Sequence, residues 1–530
     1  MRLLILLILT VTAYAGPLDG YKTVKEREKF ITDLKSKNID VKTLTTTDAG
    51  NKIQLITCSN GQNLPAILIV GGVDANFPVT TETALNLAVL ISKNDKLLSQ
   101  YRFYIIPDCT PDQYAKISGK VKRVANGNSS KTDDDKDFEV GEDPNEDLNK
   151  DGYITMMRVK DKNGTHIPHP EHPEIMIKAD PLKKEKGIYK IYSEGIDNDK
   201  DEDFNEDPGD GVAFNKNFTF KYPYFQKQAG PHQISEKESR AVADFAFKHP
   251  EIAAVLILTP DENLANTWKS NPKLEAMRVK RSLLKKDESY FKVIAGEYKK
   301  IMKTTDNPAP GSDRGSFTHW SYFHYGRWAY ASRCWWIPTE KLKLKDSRAS
   351  KEINKLLWFK KNKINGFVKW QKIKHPDFPG KEVEVGGFIP FASVTPPAKE
   401  LNAIAEKHLK LLEKIAEQKP TLAILKFNVV SKGNDLYEIE AEIKNTGFTP
   451  TLPAMGSIAR YLHPVQVELE LGKSVKYYHG IGRSQIPVLA PGQTYKKKWL
   501  IISKSLPKTL HIKVYSPHLG TATQSTGVSK

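Results

Sequence analysis

Residues 65–82 read PAILIVGGVDANFPVTTE. The run from Pro65 to Val70 is short, continuous and rich in β-branched residues, which is the pattern of a strand buried on both faces. Two glycines end it, and Asp74, Asn76 and Phe77 stand on the turn just beyond. In open α/β sheets, binding and catalytic groups gather outside the carboxyl ends of the strands. The turn at 71–77 is therefore the first place to look for chemistry.

Outward from this strand the chain alternates. YKTVKEREKFITDLKSKN reads as an amphipathic helix and VKTLTTTDAGNKIQLITCSN as a β-hairpin. TTETALNLAVLISKNDKLL has helical periodicity, with Thr80 or Thr81 as N-cap, and RFYIIPDCTP is the next strand. After an Asp/Asn/Gly-rich insertion at 126–210 the alternation resumes. SEKESRAVADFAFKHP is a helix with Ser235 and Glu238 as a capping box, and IAAVLILTP is a further buried strand. PKLEAMRVKRSLLKKDESYFKVIAGEYKKIM reads as one long helix. The pattern predicts an α/β fold, a mixed and mostly parallel sheet flanked by helices.

From 421 the pattern becomes short alternating strands (LAILKFNVV, YEIEAEIKN, VQVELEL, YKKKWLII, LHIKVYS) separated by turn signals. This predicts a C-terminal all-β sandwich over 421–530, reached through a helical linker at 396–420. The α/β domain then covers 16–395. Residues 1–15 read as a signal peptide: Arg2 supplies the positive charge, Leu3 to Val11 the apolar stretch, and Ala13-Tyr14-Ala15 the cleavage site. The apolar run is too short to span a bilayer, so the expectation is a secreted or periplasmic protein, cell-surface associated or free, with no membrane span.

The 530 residues carry a net charge of +17, but no nucleic-acid motif accompanies it, and the lysines read as a solvated surface. Nucleic acid is excluded as a partner. Three cysteines, Cys58, Cys109 and Cys334, are too few for a disulfide scaffold and read as buried thiols.

Acidic residues crowd into three segments of the insertion: DDDKDFEVGED at 133–143, DLNKDGYI at 147–154 and DNDKDEDFNED at 197–207. Oxygen side chains at every second position followed by a tight turn suit a hard cation, and Ca²⁺ takes six to eight oxygens in irregular geometry. The candidate calcium ligands are Asp133, Asp135 and Asp137, then Asp147, Asn149 and Asp151, then Asp197, Asp199 and Asp201. Only the middle segment has a glycine, Gly152, at the turn. Phe138 and Glu202 stand there in the other two.

GVAFNKNF at 211–218 and GPHQISEKESRAVADF at 230–245 follow the insertion. With GGVDANFPVTTE, IIPDCTPDQY, IAAVLILTPDE and GSFTHWSYFHYGRWAYASRCWWIP, their order resembles the zinc carboxypeptidase family, of the carboxypeptidase A fold. The acidic segments, HPDFPGKEVEVGGF at 375–388 and the terminal sandwich are similar to an exported bacterial branch of it. The resemblance covers most of 60–530, though no single motif is intact.

The resemblance implies a zinc held by two ligands on the first turn and a histidine at a neighbouring strand end. It also implies a glutamate general base and an Asn-Arg pair that holds a peptide's terminal carboxylate. Here the zinc positions read Asp74, Phe77 and Thr259, and no acidic residue lies between Gly326 and Pro338. The carboxylate clamp reads Asn215 and Lys216. Arg123 in KVKRVANG matches either a cleft arginine or a surface residue. The resemblance thus implies a peptidase relative with a degenerate zinc site, zinc lost and calcium kept, that binds peptide or protein C-termini or a cell surface without catalysis. The alternative is an active metallocarboxypeptidase whose site is rebuilt from Glu82, Asp261, Glu262, His319 and His324. A basic adhesin for anionic polymers rests on charge alone. His166, His169 and His172 in HIPHPEHPE read as an exposed loop.

Overall fold

The computed structural model describes residues 16–528 except 35, 133–139, 142, 206–208, 304–305 and 472–474. The signal-peptide reading, and the calcium candidates Asp133, Asp135 and Asp137, lie outside the described residues. Ala66–Val70 forms a strand with all five residues buried, as its apolar run predicts. It pairs in parallel with Arg102–Ile106 on one side and Ile252–Leu258 on the other. Trp328–Ser332 extends the sheet in parallel beyond Ile252–Leu258. The hairpin of Ile39–Thr46 and Lys52–Cys58 closes the other side antiparallel, giving a mixed six-stranded sheet.

Gly71 and Gly72 let the first strand turn where nothing larger fits. A Cβ on Gly71 would lie 2.8 Å from the Pro107 carbonyl oxygen, and Gly72 has φ +57° with Asp108 Cα 2.9 Å from where its Cβ would be. The helix that follows is Val79–Ser92, capped by Pro78 rather than by a threonine. Thr80 is instead committed to the turn, donating to the Phe77 carbonyl at 2.8 Å and accepting from Gly72 N–H at 3.2 Å. Ser235 is likewise displaced as a cap. Its hydroxyl meets Asn217 and Glu236, and the helix Lys237–Lys248 starts after Glu236.

The single long helix expected over 272–302 is two, Pro272–Ala276 and Lys285–Met302, with an exposed stretch Met277-Arg278-Val279 between them. Leu401–Glu417, read as a linker, packs against Val79–Ser92 and Lys285–Met302, and Leu411 and Leu412 join the main core. The insertion is no plain loop. Met156–Lys160, His166–Pro168, Met176–Lys178 and Tyr189–Ser193 join Phe367–Ile373 and Val383–Phe388 in a second, antiparallel six-stranded sheet. His169 is buried in it, its Nε2 3.1 Å from the Asp346 carbonyl oxygen, which corrects the exposed-loop reading. From Leu422 onward two four-stranded antiparallel sheets enclose Trp499, Ile439 and Val467, as the alternating pattern predicts.

Beneath the turn lies a buried ion network. Arg27 Nη1 donates to Asp108 at 2.8 Å, its Nε is 3.5 Å from Glu82, and its guanidinium lies 3.4 Å from the centre of the Tyr114 ring. Lys22 completes the pairing of Glu82 at 2.7 Å. Removing one member of such a network leaves uncompensated buried charge, at a cost of about 3–5 kcal/mol. Arg27→Ala is therefore expected to lower unfolding free energy by about that amount in denaturant titration.

Candidate functional site

The carboxyl ends of the parallel strands open into a cavity of about 200 Å³. Asp74 and Asn76 come from the turn after Ala66–Val70, and Gln113 from the helix Pro111–Ile117 after the next strand. Asn215 and Lys216 come from a short 3-10 turn, Phe214–Lys216, and Asp261 from the end of Ile252–Leu258. Four residues singled out from the sequence thus meet: Asp74, Asn215, Lys216 and Asp261.

Asp74 is held by its neighbours. Its Oδ1 accepts from Asn76 N–H and Nδ2, both at 3.0 Å, and from Gln113 Nε2 at 3.1 Å. Burial pushes its carboxyl above the ordinary range, against these hydrogen bonds and the charge of Lys216. Lys216 Nζ donates to Gln228 Oε1 at 2.7 Å, and Asn215 Oδ1 accepts from Phe317 N–H at 2.9 Å.

Phe77 and Thr259 do not join this cavity. Thr259 is fully buried, and its hydroxyl accepts from Asp261 N–H at 3.3 Å. Phe77 offers no ligand atom. Above its ring, 5.6 Å from the centre, lies the guanidinium of Arg333, which follows directly on the strand Trp328–Ser332. In the stretch where a carboxylate base is sought, the charged group that reaches the turn is thus a cation. Arg333 was not singled out from the sequence. The signal available was a lone charge at a strand end, in a stretch otherwise apolar and aromatic.

This donor set does not fit zinc, which takes four-coordinate nitrogen, sulfur or carboxylate ligation. One carboxylate, one buried hydroxyl and a phenyl ring under a guanidinium supply too few donors. The other acidic and histidine candidates are held in hydrogen bonds and ion pairs of their own, Asp261 at the cavity wall. Glu82 belongs to the ion network with Lys22 and Arg27. Glu262 accepts from the backbone N–H groups of Leu264 and Ala265 and from the Asn266 side chain. Asp261 accepts from Ser316 Oγ and stands 3.4 Å from His319 Nδ1. His324 meets Thr219 through Nδ1. Arg123 makes two bonds to the buried carboxylate of Asp210, at 2.6 and 3.1 Å, and is not itself in the cavity lining.

The zinc carboxypeptidase family profile matches residues 28–348, more than half of the chain. The chain belongs to the zinc carboxypeptidase family. Residues 421–526 of this carboxypeptidase-family chain match a domain family of unknown function. No curated protein sequence matches it. Similar solved structures include thrombin-activatable fibrinolysis inhibitor, at 13% identity over 75% of this chain and 76% of that one, with TM-score 0.38. Carboxypeptidase A from Helicoverpa armigera is 10% identical over 74% and 71%, with TM-score 0.37. The bovine fibrinolysis inhibitor in complex with a tick carboxypeptidase inhibitor is 14% identical over 76% and 98%, with TM-score 0.34.

In the insertion, Asp197, Asp199 and Asp201 bring carboxylate oxygens within 4.8 Å of one another. Their loop copies the backbone of the middle segment. Lys150 and Gly152 have φ of 60° and 88°, and Lys200 and Glu202 have 72° and 79°. Asp147 accepts from Asp151 and Gly152 N–H at 3.1 and 2.8 Å, as Asp197 does from Asp201 and Glu202 at 3.1 and 3.3 Å. Glu202 thus takes the left-handed conformation for which a glycine was sought. Asn149 Oδ1 accepts from Asp151 N–H.

Asp74→Asn keeps the one oxygen that accepts all three bonds. A carboxyl whose value is raised in the fold contributes stability that is lost as pH rises through that value. The thermal midpoint of Asp74→Asn, relative to wild type, is therefore expected to climb as pH rises above about 4, the ordinary carboxylate value. A parallel pair of pH profiles would contradict the raised carboxyl.

Proposed function

We propose that this protein is an exported, non-catalytic member of the zinc carboxypeptidase family: its zinc centre is lost, and its cleft binds peptide or protein C-termini or a cell surface. The observation that carries the reading is Arg333 over Phe77. A fixed guanidinium beside the turn repels a dication and cannot take a proton from water, since arginine stays charged throughout the working pH range. Zinc chemistry needs good ligands and an open water position, and Asp74 alone supplies neither.

What the cleft keeps is polarity. Asn215 and Lys216 border the same cavity as Asp74, and an ammonium beside an amide suits an anionic group such as a terminal carboxylate. Lysine lacks the two-pronged geometry of arginine, so the contact is a point charge rather than a fork.

We further propose that the loops of Asp147, Asn149 and Asp151 and of Asp197, Asp199 and Asp201 hold calcium, and that Asp133, Asp135 and Asp137 add to that capacity. The supporting features are the convergence of the three carboxylates and the shared left-handed turns. Oxygen-only donors select a hard cation over zinc.

Two measurements test this reading. Release of C-terminal residues from peptides with apolar, basic and acidic ends is expected to stay at background with zinc added. Chelator-sensitive release would show a working metallocarboxypeptidase instead. Separately, an ion bound only to the native state, at about a hundredfold its Kd, stabilises by about 2.7 kcal/mol. Chelation is expected to lower the thermal midpoint, and Asp197→Ala with Asp201→Ala to reduce that shift. No calcium in elemental analysis together with an unchanged midpoint would remove the calcium proposal.

A further inference from the structure

A larger cavity, of about 500 Å³, is lined by residues 306–309, just before the Gly311 and Ser312 that line the Asp74 cavity. Its lining includes Trp336 and Ile337 from beyond the Trp328–Ser332 strand, Val394, and three cations, Arg333, Lys351 and Lys355. Lys351 and Lys355 are one turn apart on the helix Ser350–Asn362, so both ammonium groups address the same space. Asp306, exposed at the edge, is the acidic residue of the lining.

Arg333 is the unusual member. Its Nη2 donates to the carbonyl oxygens of Pro260 and Ala309 at 3.1 and 3.0 Å, and its face covers Phe77. Its Nε is buried with no hydrogen-bond partner. Among the described residues, no carboxylate pairs with it. Glu262 acts on it through charge alone, since the Glu262 oxygens are spent on Leu264, Ala265 and Asn266. Asn307 Oδ1, in the same lining, is a second buried polar atom without a partner. A half-buried charge without its counter-charge has an unfavourable environment, as has a buried donor left unmade. A guanidinium with no carboxylate partner among the described residues, on one cavity wall with two lysines, points to an anion that is bound there.

We propose that this cavity is a binding site for a small organic anion, whose carboxylate or phosphate pairs with Arg333 under the field of Lys351 and Lys355, and whose apolar body lies along Trp336, Ile337 and Val394. The volume suits a ligand of drug-like size, and a mostly apolar wall with a few placed polar groups is the usual build of such sites. This site is separate from the cleft of Asp74, Asn215 and Lys216 and does not depend on peptide binding there.

The test is calorimetric titration of the full chain with 3-phenylpropanoate, 3-phenyllactate and inorganic phosphate, against 3-phenylpropanamide and 3-phenylpropylamine. The aromatic acids are expected to bind at least about tenfold more tightly than the amide, and the amine not at all, because a charge-assisted bond to guanidinium is lost. Arg333→Gln is expected to weaken the acids by about tenfold or more. If Arg333→Gln does not fold, Lys351→Gln with Lys355→Gln carries the test, with a smaller loss for the acids and a shallower salt dependence. Binding of the amide as tight as the acid, no binding of any acid up to about 10 mM, or unchanged affinity in the variants would overturn the proposal.

Discussion

Everything at the cleft depends on the parallel pairing of Ala66–Val70 with a strand on each side. A strand so placed is buried on both faces, so its backbone polar groups must be met by neighbours and its side chains by packed apolar groups. That requirement excludes polar side chains from the strand itself and leaves chemistry to the turns. Parallel neighbours also end on the same side of the sheet. Asp74, Gln113 and Asp261 therefore meet although up to 187 residues separate them, the span from Asp74 to Asp261 in the chain.

The charge logic at those strand ends departs from that of a zinc hydrolase. A metal centre gathers ligands around a dication and keeps a carboxylate near to move a proton. Here Asp74 is half-buried among amide donors, Lys216 borders the same cavity, and Arg333 covers the phenyl ring of Phe77. Positive charge is thus supplied by side chains in fixed positions. Fixed positive charge stands beside the carboxylates of Asp74 and Asp261 at these strand ends.

The insertion follows another economy. Its acidic loops are tied to a six-stranded sheet whose small core is Met157, Val159, Val383 and Val385. Buried carboxylates steady the loops from within: Glu194 accepts from Leu148 and Thr155 N–H, and Asp143 from Asn198 and Asn205 N–H. Burial raises Glu194 above the ordinary carboxylate range. The acidic side chains in these loops therefore serve as backbone acceptors as well as candidate ligands.

The sequence by itself determined the order of strands and helices in the α/β sheet, the change to a sandwich near 421, and the turn that heads the cleft. Those features are local, written in apolar runs, periodicity and glycine pairs, and the chemistry of Phe77 rules out ligation wherever it sits. Tertiary structure alone decided which charges meet. Arg123 spends its fork on Asp210, Ser235 gives up its cap to Asn217, and Arg333 reaches Phe77, because each partner comes from a distant segment. The insertion's sheet was hidden for the same reason: its short strands are completed by residues 367–388, and no local pattern records a pairing across some two hundred residues.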